Sequence, residues 1–162
     1  MRTIQGLFVV GAVLFVTGIA FVIAGAREAR SAGPRVEVAR GGTPVATIKQ
    51  IMNGITQPNA AILYSSVGTV VGTEGTREIA PQSDEEWSAV GNSAAALIES
   101  GNLLLMEGRA VDDGDWISMT NAFIAASTAA LEAADDKSTD GILSAGAKVY
   151  AACEACHQRY QQ

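Results

Sequence analysis

Apolar and polar residues follow one pattern before residue 27 and another after residue 43. Residues 3–26 (TIQGLFVVGAVLFVTGIAFVIAGA) carry no charge, whereas beyond residue 43 apolar positions return every three or four residues. An uncharged run of 24 residues exceeds the ~20 that span a bilayer as a helix. It is also longer than the ~7–15-residue apolar core of a cleaved leader. The pattern predicts a transmembrane anchor within 1–26, with Ala24-Gly25-Ala26 offering a small-x-small cleavage site as the alternative. Residues 27–42 (REARSAGPRVEVARGG) have no sustained period and hold Pro34 and Gly41-Gly42, so they read as a linker. Residues 43–162 are the size of one domain with its own core.

That domain reads as four helices. The first is expected to open at Thr43-Pro44, a cap followed by proline at the first helical position. Its stripe would be Val45, Ile48, Met52 and Ile55, then Ile62 and Leu63 beyond a kink at Pro58. The second opens at Ser83 with Glu86 three residues on, a capping box, and buries Trp87, Val90, Ala94, Leu97, Gly101 and Leu104. The third starts near Asp115 and buries Trp116, Phe123, Ser127, Ala130 and Ala134. The fourth starts near Thr139-Asp140 and aligns Ile142, Gly146, Val149, Cys153, Cys156, His157 and Tyr160. The connection from Gly68 to Gln82 is long and rich in Gly and Thr, with little strand patterning; the other two are short. Short connections join antiparallel neighbours. The expected fold is therefore all-α, an up-down-up-down four-helix bundle with an N-terminal transmembrane helix.

Composition changes this picture at one place. The chain has two cysteines and one histidine, and all three fall in Cys153-Glu154-Ala155-Cys156-His157. A C-x-x-C-H run reads as a c-type haem attachment site. Residues three apart share a helix face, so both sulfurs can bind one haem while His157 ligates its iron. A zinc site wants about four ligands and finds three. A thioredoxin-type dithiol would sit beside a βαβ pattern that is absent. A structural disulfide would leave the histidine unexplained.

The implied cofactor is one covalent haem c per chain, and it sets the compartment. Cytochrome c maturation takes place outside the cytoplasm, placing the domain on the periplasmic side of the membrane, anchored or released by cleavage. Charge does not orient the segment, since Arg2 lies on one side and Arg27 and Arg30 on the other. Without Arg2 there remain 10 basic against 17 acidic residues, a net of −7. That balance argues against nucleic-acid binding and for a basic or mixed-charge partner.

A helical bundle with C-x-x-C-H on its last helix resembles the class II c-type cytochromes, the cytochrome c′ and cytochrome c556 family. The matching pieces are Ile51-Met52-Asn53 through Pro58, Asp84-Glu85-Glu86-Trp87, Asn102-Leu103-Leu104-Leu105, Trp116, and Gly146 through Tyr160. Together they cover residues 45–160. The resemblance implies a one-electron carrier rather than an enzyme, exchanging electrons with redox partners of a respiratory or periplasmic chain. Relatives often dimerise through the first two helices, which allows a homodimer here.

With no second histidine, a methionine has to complete the iron's coordination if any side chain does. Met52, Met106 and Met119 all fall near the haem end. On a regular helix Met52 lies mid-stripe between Ile48 and Ile55, while Met119 is marginal and Met106 well off its stripe. Met52 also matches the helix 1 methionine that binds iron in c556-type members. The other reading makes Met52 a core gap-filler facing an open iron that takes NO or CO, as in cytochrome c′. Lys49 and Arg159 are the candidate partners of the haem propionates, in a family that usually carries arginine at the Lys49 position.

Overall fold

A computed structural model describes Phe15 and residues 42–161. The anchor expected over 1–26 and the linker over 27–42 lie outside the described residues, apart from Phe15 and Gly42. Among the described residues no helix is long and apolar enough to cross a membrane.

The chain is mostly helical. We label the helices α1 (residues 48–65), α2 (Asp84–Leu104), α3 (Asp115–Asp135) and α4 (Thr139–Tyr160), with one hairpin, β1 (Gly68–Gly72) and β2 (Gly75–Ile79), between α1 and α2. Contacts between neighbours run in opposite directions. On α2, Gly91 faces Leu131 and Ala134, whereas Gly101 faces Phe123 and Ile124. On α4, Gly141 meets Ala133 and Tyr160 meets Trp116. Glycine is required where helices come closest, since a Cβ at Gly101 would fall 2.4 Å from Ile124 Cγ1.

α1 departs from the sequence expectation in two ways. It starts at Ile48, because Thr47 and Gln50 form the capping box: Gln50 N–H donates to Thr47 Oγ1 at 3.2 Å and Thr47 N–H to Gln50 Oε1 at 2.9 Å. The Ala46 carbonyl is taken by Arg109 Nε at 3.2 Å, and Val45, expected in the stripe, is 93% exposed. Ahead of Pro58, where a kink is expected, the helix makes a π turn, Met52–Thr56, between α-helical Ile48–Ile51 and Gln57–Ser65. Proline lacks an N–H and crowds the carbonyl four residues back, and widening the preceding turn relieves both. Gln57 N–H reaches back five residues to the Met52 carbonyl, while Asn59 Nδ2 takes the Ile55 carbonyl at 2.7 Å.

The extra residue shifts the buried face. Ile51, Thr56, Ala60, Leu63 and Val67 are buried, and the five-residue step from Ile51 to Thr56 is the π turn itself. Ile62, expected in the stripe, is 45% exposed. Met52 stands beside the centre of the buried face, not on it, and is half-buried.

The hairpin replaces the expected loop. Residues 69–78 are all exposed, so neither face is buried and no alternation marks the strands. Its two-residue turn, Thr73-Glu74, closes between Gly72 and Gly75, with Gly75 at φ +118°, where a side chain would be strained.

The remaining helices follow their sequence signals. Ser83 and Glu86 cap α2 reciprocally, and the expected stripes of α2 and α3 are all buried. Ser138 caps α4 by accepting Gly141 N–H at 3.1 Å. Lys137 closes α3 at φ +52°, with Ser138 N–H on the Ala133 carbonyl at 2.9 Å and Lys137 N–H on Ala134 at 3.1 Å, a Schellman ending.

Candidate functional site

Among the described residues the buried side chains form two clusters, one along most of the helical body and one at the end where α4 finishes. The larger includes Ala60 and Leu63 of α1, Trp87 through Leu97 of α2, Phe123 through Ala134 of α3, and Ile142 through Val149 of α4. The smaller is Ile51, Leu104 and Trp116, with Met52, Ile117 and Tyr160 packed on it. On α1, α2 and α3 the fully buried residues between the two contributions are small or polar, beside half-buried Ile55, Ile98 and Met119. α1 places buried Thr56 there, α2 Ser100 and Gly101, and α3 Thr120. On α4 the same interval holds Cys156 and His157, with Cys153 packed on the larger cluster and Tyr160 on the smaller. The C-x-x-C-H motif thus lies between the contributions of α4 to the two clusters.

Cys153 and Cys156 are free thiols, each half-buried, one turn apart in the last two turns of α4. Burial pushes both thiols above their ordinary value; for Cys153 the neighbouring Cys156 adds to this and a hydrogen bond with Tyr64 opposes it. A dithiol built for exchange needs a lowered pKa, commonly at a helix N-terminus. These thiols sit at the opposite end of the helix dipole, where a thiolate is disfavoured. They suit covalent attachment better than disulfide exchange.

His157 is exposed beside them, its carbonyl accepting Gln161 N–H at 2.9 Å. Among the described residues, no three His, Cys, Asp or Glu side chains gather as a metal-ion site. The donors present are two half-buried thiols one turn apart, one exposed imidazole and the thioether of Met52 on the smaller cluster. That donor set fits haem c.

The methionines separate by their contacts. Met106 Sδ accepts from Arg109 Nη1 at 3.0 Å, which occupies its sulfur. Met119 is half-buried on α3. Met52 shares the smaller cluster with Tyr160, one turn beyond His157 on α4. Of the two basic candidates, Arg159 pairs with Asp115 at 3.4 Å, both side chains exposed, and its guanidinium lies 5.8 Å from the Tyr160 ring centre. Lys49 is exposed in the first turn of α1.

Three residues around the motif escaped the sequence reading. Tyr64 contacts Cys153, and its phenol is pushed up to about 12 by burial and then by that thiol. Arg109 is 9% exposed and holds the carbonyls of Ala46 at 3.2 Å and Leu103 at 3.0 Å, tying α1's start to α2's end. Asp112 accepts the Tyr160 hydroxyl at 2.5 Å. The run of aspartates before Trp116 was a visible signal for a cap, but nothing local marks its bond to a residue 48 positions away.

Compared with known protein families, with curated proteins and with solved structures, the chain finds no match. Function has to be read from these residues and their geometry.

Proposed function

We propose that this is a class II c-type cytochrome, a one-electron carrier built as an up-down-up-down four-helix haem bundle. The observation that carries the reading is the position of Cys153, Cys156 and His157, together on the last turns of one helix between its contributions to the two apolar clusters. When bound, haem c supplies an iron that cycles between ferric and ferrous states.

The chain's residues divide the remaining work. Cys153 and Cys156 hold the group through thioether bonds, so it stays bound in either oxidation state. His157 of α4 and Met52 of α1 would be the two side chains that hold the iron. A thioether facing an imidazole favours a low-spin iron and a raised potential, which suits electron transfer. Trp116, Leu104 and Ile51 exclude water around Met52, and Lys49 at the exposed start of α1 partners a propionate. Arg159, paired with Asp115, is the weaker propionate candidate. The segment 3–26 holds the domain at the periplasmic face of the membrane or directs its export, and redox proteins of a respiratory or periplasmic chain are its partners.

The deciding experiment is the optical spectrum of the dithionite-reduced protein, with and without CO. Sharp low-spin bands that CO barely disturbs, lost in Met52→Ala, are the expected result. A broad high-spin spectrum shifted strongly by CO would replace the carrier with a five-coordinate protein that binds NO or CO. Absence of haem bands would overturn both.

A further inference from the structure

The last turn of α4 is held by contacts that haem attachment does not require. Tyr160 donates its hydroxyl to Asp112 Oδ2 at 2.5 Å, and its ring stands edge-on to Trp116 with centroids 5.1 Å apart. The other carboxylate oxygen of Asp112 accepts the N–H groups of Gly114 at 2.9 Å and Trp116 at 3.0 Å. One carboxylate therefore caps the start of α3 and ties down the end of α4. Trp116 extends the link by donating Nε1 to the Leu104 carbonyl at 3.0 Å, in the last turn of α2. Met52 of α1 packs against the same Ile51–Leu104–Trp116 cluster as Tyr160. Elements from all four helices meet at this point.

We propose, on the reading of His157 and Met52 given above, that the Asp112–Tyr160 hydrogen bond positions both axial ligands of the haem. Tyr160 is the positioning residue, acting on His157 along its own helix and on Met52 across the small cluster. Helix ends fray because their last carbonyls lack partners inside the helix, and His157 lies in that last turn. Its imidazole takes its direction from a backbone that Tyr160, three residues on, holds to α3. A hydroxyl bonded to a carboxylate belongs to the stronger class of hydrogen bond. The parallel tie, Arg159 to Asp115, is longer and exposed and so contributes little.

Full-length, haem-loaded Tyr160→Phe is the test, since it keeps the ring against Trp116 and removes only the hydroxyl. The expected result is a weaker sulfur-to-iron charge-transfer band in the ferric protein and about tenfold stronger CO binding in the ferrous protein. Helix content should not change, and the midpoint potential should fall. Asp112→Asn should loosen Met52 in the same direction, and the double variant should go little further than either single one. Asp115→Asn, which breaks only the exposed pair, should leave CO binding at the wild-type level. A Tyr160→Phe protein with wild-type CO binding and potential overturns the clamp while the ligation stands. Equal loosening by Asp115→Asn also overturns it, because the effect would then be general to the helix end. A wild type without haem, or one that binds CO avidly, overturns the ligation and the clamp with it.

Discussion

At the scale of single residues, the chemistry depends on what surrounds a few side chains. Met52 is the only one of the three later methionines packed with Tyr160 on the smaller cluster. On the proposed ligation Met52→Ala should abolish the sulfur-to-iron band and make the ferrous protein CO-reactive, whereas Met106→Leu should leave both unchanged; optical spectra check this. The Tyr160 phenol is pushed up to about 12 by burial and by its bond to Asp112. The ordinary value is 10.0, so the folded value is the higher one. Its contribution to stability is then full below pH 10 and is lost as pH rises through about 12. A tyrosinate absorbance titration should lose a step near pH 12 in Tyr160→Phe. The same bond, followed by the two backbone N–H groups, holds the Asp112 carboxyl below its ordinary 3.8. That contribution is present above pH 3.8 and lost as pH falls through the lowered value, so acid unfolding of Tyr160→Phe should start at higher pH than in wild type.

At the scale of elements, caps and close approaches set where each helix begins, ends and meets its neighbour. Removing the Ser83 cap in Ser83→Ala should cost about 1 kcal/mol in denaturant unfolding. Lys137 occupies a left-handed position that ordinarily favours glycine. Lys137→Gly should thus raise stability by up to ~1 kcal/mol, since the ion pair it gives up with Asp84 is exposed on both sides. Gly101→Ala should instead destabilise by roughly 1–3 kcal/mol, because the added methyl meets Ile124. The π turn carries Met52, the ligand of the proposed function. It runs from Met52 to Thr56, two residues before Pro58, and such turns occur often at functional sites. Pro58→Ala removes the reason for it, and a regular α1 would turn Met52 by ~100° relative to Ala60. The expected outcome is a stable helical protein whose ferrous form has gained CO reactivity.

At the scale of the whole molecule, two apolar clusters are stacked along the helices, with the attachment motif between them. On the proposed function a bound haem would join this core, so haem-free protein should unfold at lower denaturant than the loaded form. The chain carries a net charge of −6, and encounter with a basic redox partner would be steered electrostatically. Its electron-exchange rate should then fall as salt rises from 10 to 200 mM, over which the screening length contracts several-fold. Sequencing the N-terminus of the mature protein decides between an anchor at 3–26 and cleavage after Ala26.

The C-x-x-C-H motif was readable in the sequence because its residues stand at fixed local spacing, and the structure puts them on one helix. The same holds for the caps at Ser83 and the stripes of α2 and α3, where regular helix keeps the 3.6-residue period intact. The hairpin at Gly68–Ile79 escaped detection because it buries neither face, and burial is what writes alternation into a strand. Pro58 announced a disturbance of α1, but not that an added residue would leave Leu63 buried and Ile62 exposed and move Met52 to the margin of the buried face. The Asp112–Tyr160 and Arg109–Ala46 links were decided only by the fold. They join residues 48 and 63 positions apart, and a period read along the chain carries no information about which distant helix ends will meet.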